Sequence, residues 1–353
     1  MPKTWLRVCL AAAVLPLTVA VPQATAAPHQ SQWEETAPDR LGAIRDIKAF
    51  GPNAAWAVGH DHEHRSWALR WDGRTWTPSP VPALNTLRTV EGTSPDDVWA
   101  LGRSGLAHWD GGQWRQTRTE LSNPLDALTD LTLLPDGTPL AVGYSTTASY
   151  ALRWNGTVWK VESLDNKEFQ PQAVASLGSG QAWAVGNADH RNVAYRYTGQ
   201  RWEALAVPGP DWAHSGTGLK GVAANGPADV WLAAESYTAD SGGVIRERRP
   251  YALHWDGQRW TQHQLPGTGT TPLDVHWDGR GFWVSGSSGT PFASYLARWD
   301  GSGWRQTPAP AAPRTSAVYA LEPVPGTETW WAVGNSTTYT PSVVHRVILA
   351  RSR

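Results

Sequence analysis

Beyond position 9 the sequence has no cysteine, and its 353 residues contain one methionine and four phenylalanines. A chain without thiols has no disulfide, no thiolate metal ligand and no cysteine nucleophile. An excess of either charge is lacking too, with 30 basic against 31 acidic side chains, so composition offers nothing for a nucleic-acid partner. Long apolar runs are confined to one place. Lys3 and Arg7 precede "VCLAAAVLPLTVA", and Ala24-Thr25-Ala26 follows it, which predicts a secretory signal over residues 1–26 and export of a product starting near Ala27. Cys9 falls inside that signal and lacks a lipobox. No other stretch approaches the roughly 20 apolar residues of a membrane helix. The expectation is a secreted, extracellular chain with no transmembrane span, acting as a monomer.

What the sequence has in abundance is tryptophan, 23 in all, and most of it is periodic. "ALRWDGRTW" at 68–76 returns as "LAHWDGGQW", "ALRWNGTVW", "AYRYTGQRW", "ALHWDGQRW" and "LARWDGSGW". A second block, "AWAVG" ending at Gly59, returns at Gly102, Gly143, Gly186, Ala234, Gly286 and Gly334, at spacings of 41 to 52 residues. That period suits four-stranded units. Each unit reads as strands A to D, for example "LRTVEGT", "DVWALG", "LAHWD" and "QWRQT", with Asp-Gly, Asn-Gly or Thr-Gly supplying the positive backbone angles of the C–D turn. The last unit ends without a D strand, while "SQWEETAPD" around Trp33 matches one and has no unit before it. This predicts that the N-terminal strand completes the last blade and closes the ring.

The "DVWALG … LAHWDGGQW" cadence resembles the seven-bladed β-propellers and is similar to tectonin-like and Kelch or galactose-oxidase-like repeats. The resemblance implies an all-β, seven-bladed β-propeller of four-stranded antiparallel blades, a single domain over 27–353. The fold hosts many unrelated functions, so function must be argued from sites.

Three places could carry one. The A–B and C–D turns are uniform in length, whereas the B–C and D–A connections vary, and binding groups collect on such variable loops. The longest, in the fifth unit, reads as a loop carrying Tyr237, Asp240, Arg246, Arg248 and Arg249, and the D–A connection before it adds Trp212 and His214. Aromatic faces beside Arg suit a glycan or an anion. The first unit's "HDHEHR" sets His60, His62 and His64 at alternate positions, where extended backbone would project them together as a metal site. Aligning the A strands on Ile47, Val90, Leu131, Val174, Val222, Val275 and Val318 turns Asp46, Lys48, Thr89, Glu91, Asp130, Thr132, Asp274, His276 and Tyr319 toward a central channel, whose carboxylates could gather a cation.

Catalytic signatures are missing. A copper-radical site needs a cysteine, "WDG" lacks the spacing of a sialidase Asp-box, and no GxSxG, HExxH or phosphate loop occurs. The reading that follows is a secreted, non-catalytic binding protein that engages carbohydrate or an extracellular protein through its variable-loop face, with no cofactor expected. The alternative is a glycoside hydrolase or polysaccharide lyase using channel-facing carboxylates. A featureless loop face would indicate a purely structural role instead.

Overall fold

A computed structural model of the chain describes residues 33–36, 42–121, 127–210, 216–267, 269–289, 293–310, 315–338 and 344–352, with the backbone alone at 35, 315, 337–338 and 344–352. The described residues form antiparallel sheets laid edge-on around a channel. In each sheet the A strand lines the channel and the B strand lies behind it. The B strands read as continuous apolar runs because both of their faces are covered by neighbouring sheets: in Ala54–His60 the five residues 55–59 are all buried. The D strands, such as Trp114–Gln116, bury one tryptophan and leave polar residues outward.

The tryptophans weld sheet to sheet. The B-strand Trp of one sheet meets the C- and D-strand Trp of the next, as Trp56 does with Trp109 and Trp114 at ring separations of 4.9 and 5.3 Å. Trp231 does the same with Trp299 and Trp304 at 4.8 and 5.2 Å. Within each C–D hairpin the two aromatics are direct cross-strand partners, Trp71 with Trp76 for example. The turn between them is a four-residue loop. Asp72 Oδ1 accepts the amides of Arg74 and Thr75, each at 2.8 Å, while Gly73 adopts a φ of 96°. "WDG" is therefore a turn device.

The glycine that ends the B-strand motif has a different cause. At Gly186 a Cβ would stand 2.0 Å from the carbonyl oxygen of Gln170 in the A strand opposite, and at Gly334 it would stand 1.9 Å from that of Ala317. The A strand crosses too closely for any side chain. The fifth unit has Ala234 there and places Gly218 and Gly221 in the facing strand. Gly186→Ala should lower stability by about 1–3 kcal/mol, because backbone must move to admit the methyl. An unchanged urea midpoint would show that the strand yields freely.

Seven sheets are present among the described residues. The expectation of seven equivalent four-stranded blades closed by the N-terminal strand needs correction. Six sheets are contiguous blades, and one of these has five strands because Arg118–Thr119 pairs in parallel with Val158–Leu164. The remaining sheet is a composite of Thr315–Pro323, Trp330–Thr338 and Val344–Ser352 with an outer edge of only three residues, Trp33–Glu35. That edge pairs with 350–352, and Trp33 is only partly buried. The circuit closes without it. Thr315–Pro323 packs against Ala43–Gly51, and Trp331 packs edge-on against both Trp71 and Trp76 at ring separations of 5.4 and 5.3 Å.

The fifth unit's long connection is also not a loop. Val230–Ala239 and Ile245–Trp255 pair out to Ala239 and Ile245, so the insert is a projecting β-hairpin. Its charged residues pair with one another, Glu235 with Arg248 across the ladder and Glu247 with Arg249 along one strand, which the sequence pattern did not reveal.

Candidate functional site

Every A strand carries a β-bulge at the same place near its N-terminal end. The register shifts fall at Arg45, Arg88, Thr129, Gln172, Lys220, Leu273 and Tyr319. A bulge sets two residues against one on the partner strand and re-aims the extra side chain. All seven of these residues line one cavity of about 560 Å³ at the centre of the ring. They lie at the end of the A strands that the B–C and D–A connections surround, so this level is the mouth of the channel on the variable face.

One step deeper are Asp46, Asp130 and Asp274, and these carboxylates are fastened to the scaffold. Asp46 accepts the amides of Ile47 and of Val90 in the next blade, both at 2.8 Å. Asp130 accepts those of Leu131 and Val174 at 2.8 Å and the Thr89 hydroxyl at 2.9 Å. Asp274 accepts Val275 at 2.8 Å. By accepting amides of the neighbouring blade as well as their own, Asp46 and Asp130 clasp one blade to the next. Enclosure by protein raises all three pKa values: Asp46 well above the usual range, Asp130 to about 6, and Asp274 to about 8 with help from the Asp130 charge.

Deeper again lies an ion cluster. Lys48 Nζ lies 3.0 Å from Glu91 and 3.6 Å from Glu322, and Glu322 also accepts the Ala49 amide at 3.2 Å. His276 Nε2 lies 3.7 Å from Glu322, and burial, then the Lys48 charge, lowers its pKa to about 4. Glu322 was not foreseen, because "SAVYALEP" fits an alternating pattern centred on either Val318 or Leu321. The bulge at Tyr319 selects Leu321 and turns Glu322 inward. Of the carboxylates expected to gather a cation, Glu91 is paired with Lys48, and among the described residues no group of three His, Cys, Asp or Glu is placed to hold a metal.

The arrangement of blades around a channel has many counterparts. Virginiamycin B lyase from Staphylococcus aureus, in a catalytically inactive form with quinupristin, is 15% identical with a TM-score of 0.64, over 90% of this chain and 98% of that one. YCF48 bound to D1 peptide is 15% identical with a TM-score of 0.60, covering 91% and 94%. An ulvan lyase of a polysaccharide lyase family, bound to a glucuronate and sulfated-rhamnose unit, is 8% identical with a TM-score of 0.60, covering 90% and 96%. The chain is a β-propeller. At these identities the likeness is one of fold alone, and no protein-family model or curated sequence matches.

Most of the other candidate residues that are described are engaged in local pairs. Trp212 and His214 lie outside the described residues. Asp240 caps its own turn, accepting the amides of Gly242 at 3.0 Å and Val244 at 2.9 Å, and pairs with Arg246. Arg249 pairs with Glu247 at 2.8 Å. Arg248 binds Glu235 at 2.8 Å, and Lys220 approaches the same buried carboxylate at 3.2 Å. Tyr237 shares a 2.8 Å hydrogen bond with His190. The histidine loop does not converge either. Asp61 turns the chain by accepting the amides of Glu63 and Arg65, and His64 takes a φ of 60°, so strand alternation does not apply. His60 and His64 stack at 5.3 Å, with His60 Nδ1 3.0 Å from the Asp61 carbonyl. No helix among the described residues is long and apolar enough to cross a membrane.

Arg45 and Arg88 were missed by the sequence reading. Strict alternation puts Arg45 on the same side as Ile47, facing the core, and only a bulge reverses that. A cation at this position, opposite the B-strand glycine, was the available signal.

Proposed function

We propose that this chain is an exported, non-catalytic binding protein that seats its ligand in the channel mouth on the variable face. Carbohydrate is the favoured ligand. The observation that carries this reading is the central cavity of about 560 Å³, whose upper level is polar and whose aspartates are committed to scaffold amides. The volume is in the range of small-ligand sites, and carboxylates held as clasps are poorly free to act as acid, base or nucleophile. The A-x-A segment supports export. A glycan array and a panel of extracellular proteins should be screened with the parent and with Gln172→Trp, which fills the mouth. At least tenfold weaker glycan binding by the variant, at an unchanged melting temperature, is expected. Equal binding would move the site elsewhere.

One observation favours an enzyme. Asp274, at about 8, and His276, at about 4, share the cavity, and groups driven apart in this way can serve as acid and base. Two of the propellers similar in fold are lyases by name, one bound to an acidic glycan. Turnover of a polysaccharide that is lost in Asp274→Asn would establish this reading over the first.

A further inference from the structure

We infer that the channel mouth binds the carboxylate of a uronic-acid-bearing oligosaccharide, with Arg45 and Arg88 as its paired cationic contacts. This rests on the mouth being the ligand site and names the class of ligand it takes.

The two arginines occupy equivalent bulges of neighbouring blades and open into one cavity. Among the described residues neither guanidinium has a hydrogen bond or an ion pair. Arg45 sits over the Tyr319 ring, with Cζ 4.1 Å from the ring centroid, a cation–π contact that holds it at the mouth. Arg88 is half-buried, and burial, followed by the charges of Arg45 and Arg103, pushes its pKa below the usual value. Like charges enclosed side by side oppose folding. The other channel cations have carboxylates: Lys48 has Glu91 and Glu322, and Lys220 has Glu235. Among the described residues no carboxylate pairs with Arg45 or Arg88, and an anion from outside the chain would balance them.

The chemistry of the mouth selects among anions. Two planar guanidinium forks match the two oxygens of a carboxylate, each able to donate a pair of hydrogen bonds. Around them stand the Gln172 amide and Tyr319, whose hydroxyl is fixed by donating to Asn335 at 2.8 Å, while the Thr129 hydroxyl donates to the Val142 carbonyl at 3.2 Å. At this level Leu273 alone is aliphatic. Hydroxyl and amide walls suit a saccharide, whereas a peptide would need apolar pockets for its side chains.

The test uses the full chain and calorimetric titration with tetrasaccharides of galacturonate, mannuronate and unsulfated chondroitin, their methyl esters, neutral galacto-oligosaccharides and tetraglutamate. At least one uronate should bind, and its methyl ester should bind at least tenfold more weakly. Arg45→Gln and Arg88→Gln should each weaken uronate binding at least tenfold, and Arg88→Lys, which keeps the charge without the fork, should weaken it less. Removing one of two repelling charges should leave the melting temperature unchanged or higher, so lost binding cannot be ascribed to misfolding. No uronate bound, an ester bound equally well, or tetraglutamate bound as tightly overturns the inference. Neutral glycan binding that survives both Gln variants but fails in Gln172→Trp would reject this inference and keep the broader reading. Absence of any glycan or protein ligand would reject both.

Discussion

Trp331→Ala should lower the stability of this propeller by about 3–5 kcal/mol, the range for deleting a fully buried aromatic. Trp331 has no exposed surface and touches both Trp71 and Trp76, so it joins the last sheet to the first. Its loss leaves a cavity bordered by two rings that are held as cross-strand partners in one hairpin and cannot both collapse inward. Such a loss rivals the whole stability of many domains. Deleting Trp33–Thr36 should cost less, below about 3 kcal/mol, because Trp33 is only partly buried and contributes a 3.3 Å bond to the Pro308 carbonyl at the edge. Chemical denaturation of the two variants decides between them. A deletion more damaging than Trp331→Ala would show that the N-terminal edge, and not the tryptophan junction, holds the circuit.

Stability should fall as pH rises from about 6.5 to 8, and Asp274→Asn should make that fall shallower. The Asp274 carboxyl titrates near 8 in the folded chain and near 3.8 when unfolded. Between those values the native state holds a proton that the unfolded state lacks, so raising the pH favours unfolding, by at most about 1.4 kcal/mol per pH unit for one group. His276 acts in the opposite sense. It titrates near 4 folded and 6.5 unfolded, so its contribution grows as pH rises through that window and is complete by 6.5. Asp130, near 6, has largely ionised by then. Above 6.5 Asp274 contributes to the slope in the same direction as Asp46, whose pKa burial also raises well above the usual range. Thermal melts of parent and variant at pH 6.5, 7.2 and 8 test this, and parallel curves would mean that the Asp274 carboxyl is ionised throughout.

The repeats made the strands, the C–D turns and the tryptophan junctions readable, because each is a local pattern copied along the chain. The channel aspartates followed from strand alternation, as did Lys48, Glu91 and His276. What alternation could not supply was the bulge, one extra residue per A strand that leaves no composition signal. It hid Arg45 and Arg88 on the supposed core side and shifted the last strand so that Glu322 was passed over. The fifth-unit insert was misread for a related reason: its charged residues look like solvated loop, yet Glu235 and Arg248 pair across a ladder and Asp240 holds Arg246 at the turn that ends it. The histidines failed because a turn stabilised by Asp61 replaced the extended backbone their spacing assumed.

Hydrogen–deuterium exchange with and without a saturating uronate tetrasaccharide tests most directly whether the mouth is the ligand site. The account predicts slowed exchange at the bulged ends of the A strands, residues 43–47 and 86–90, and none at the C–D turns 72–75 and 110–113 on the opposite face. Protection confined to those turns, or to the hairpin tip at 240–246, would contradict it.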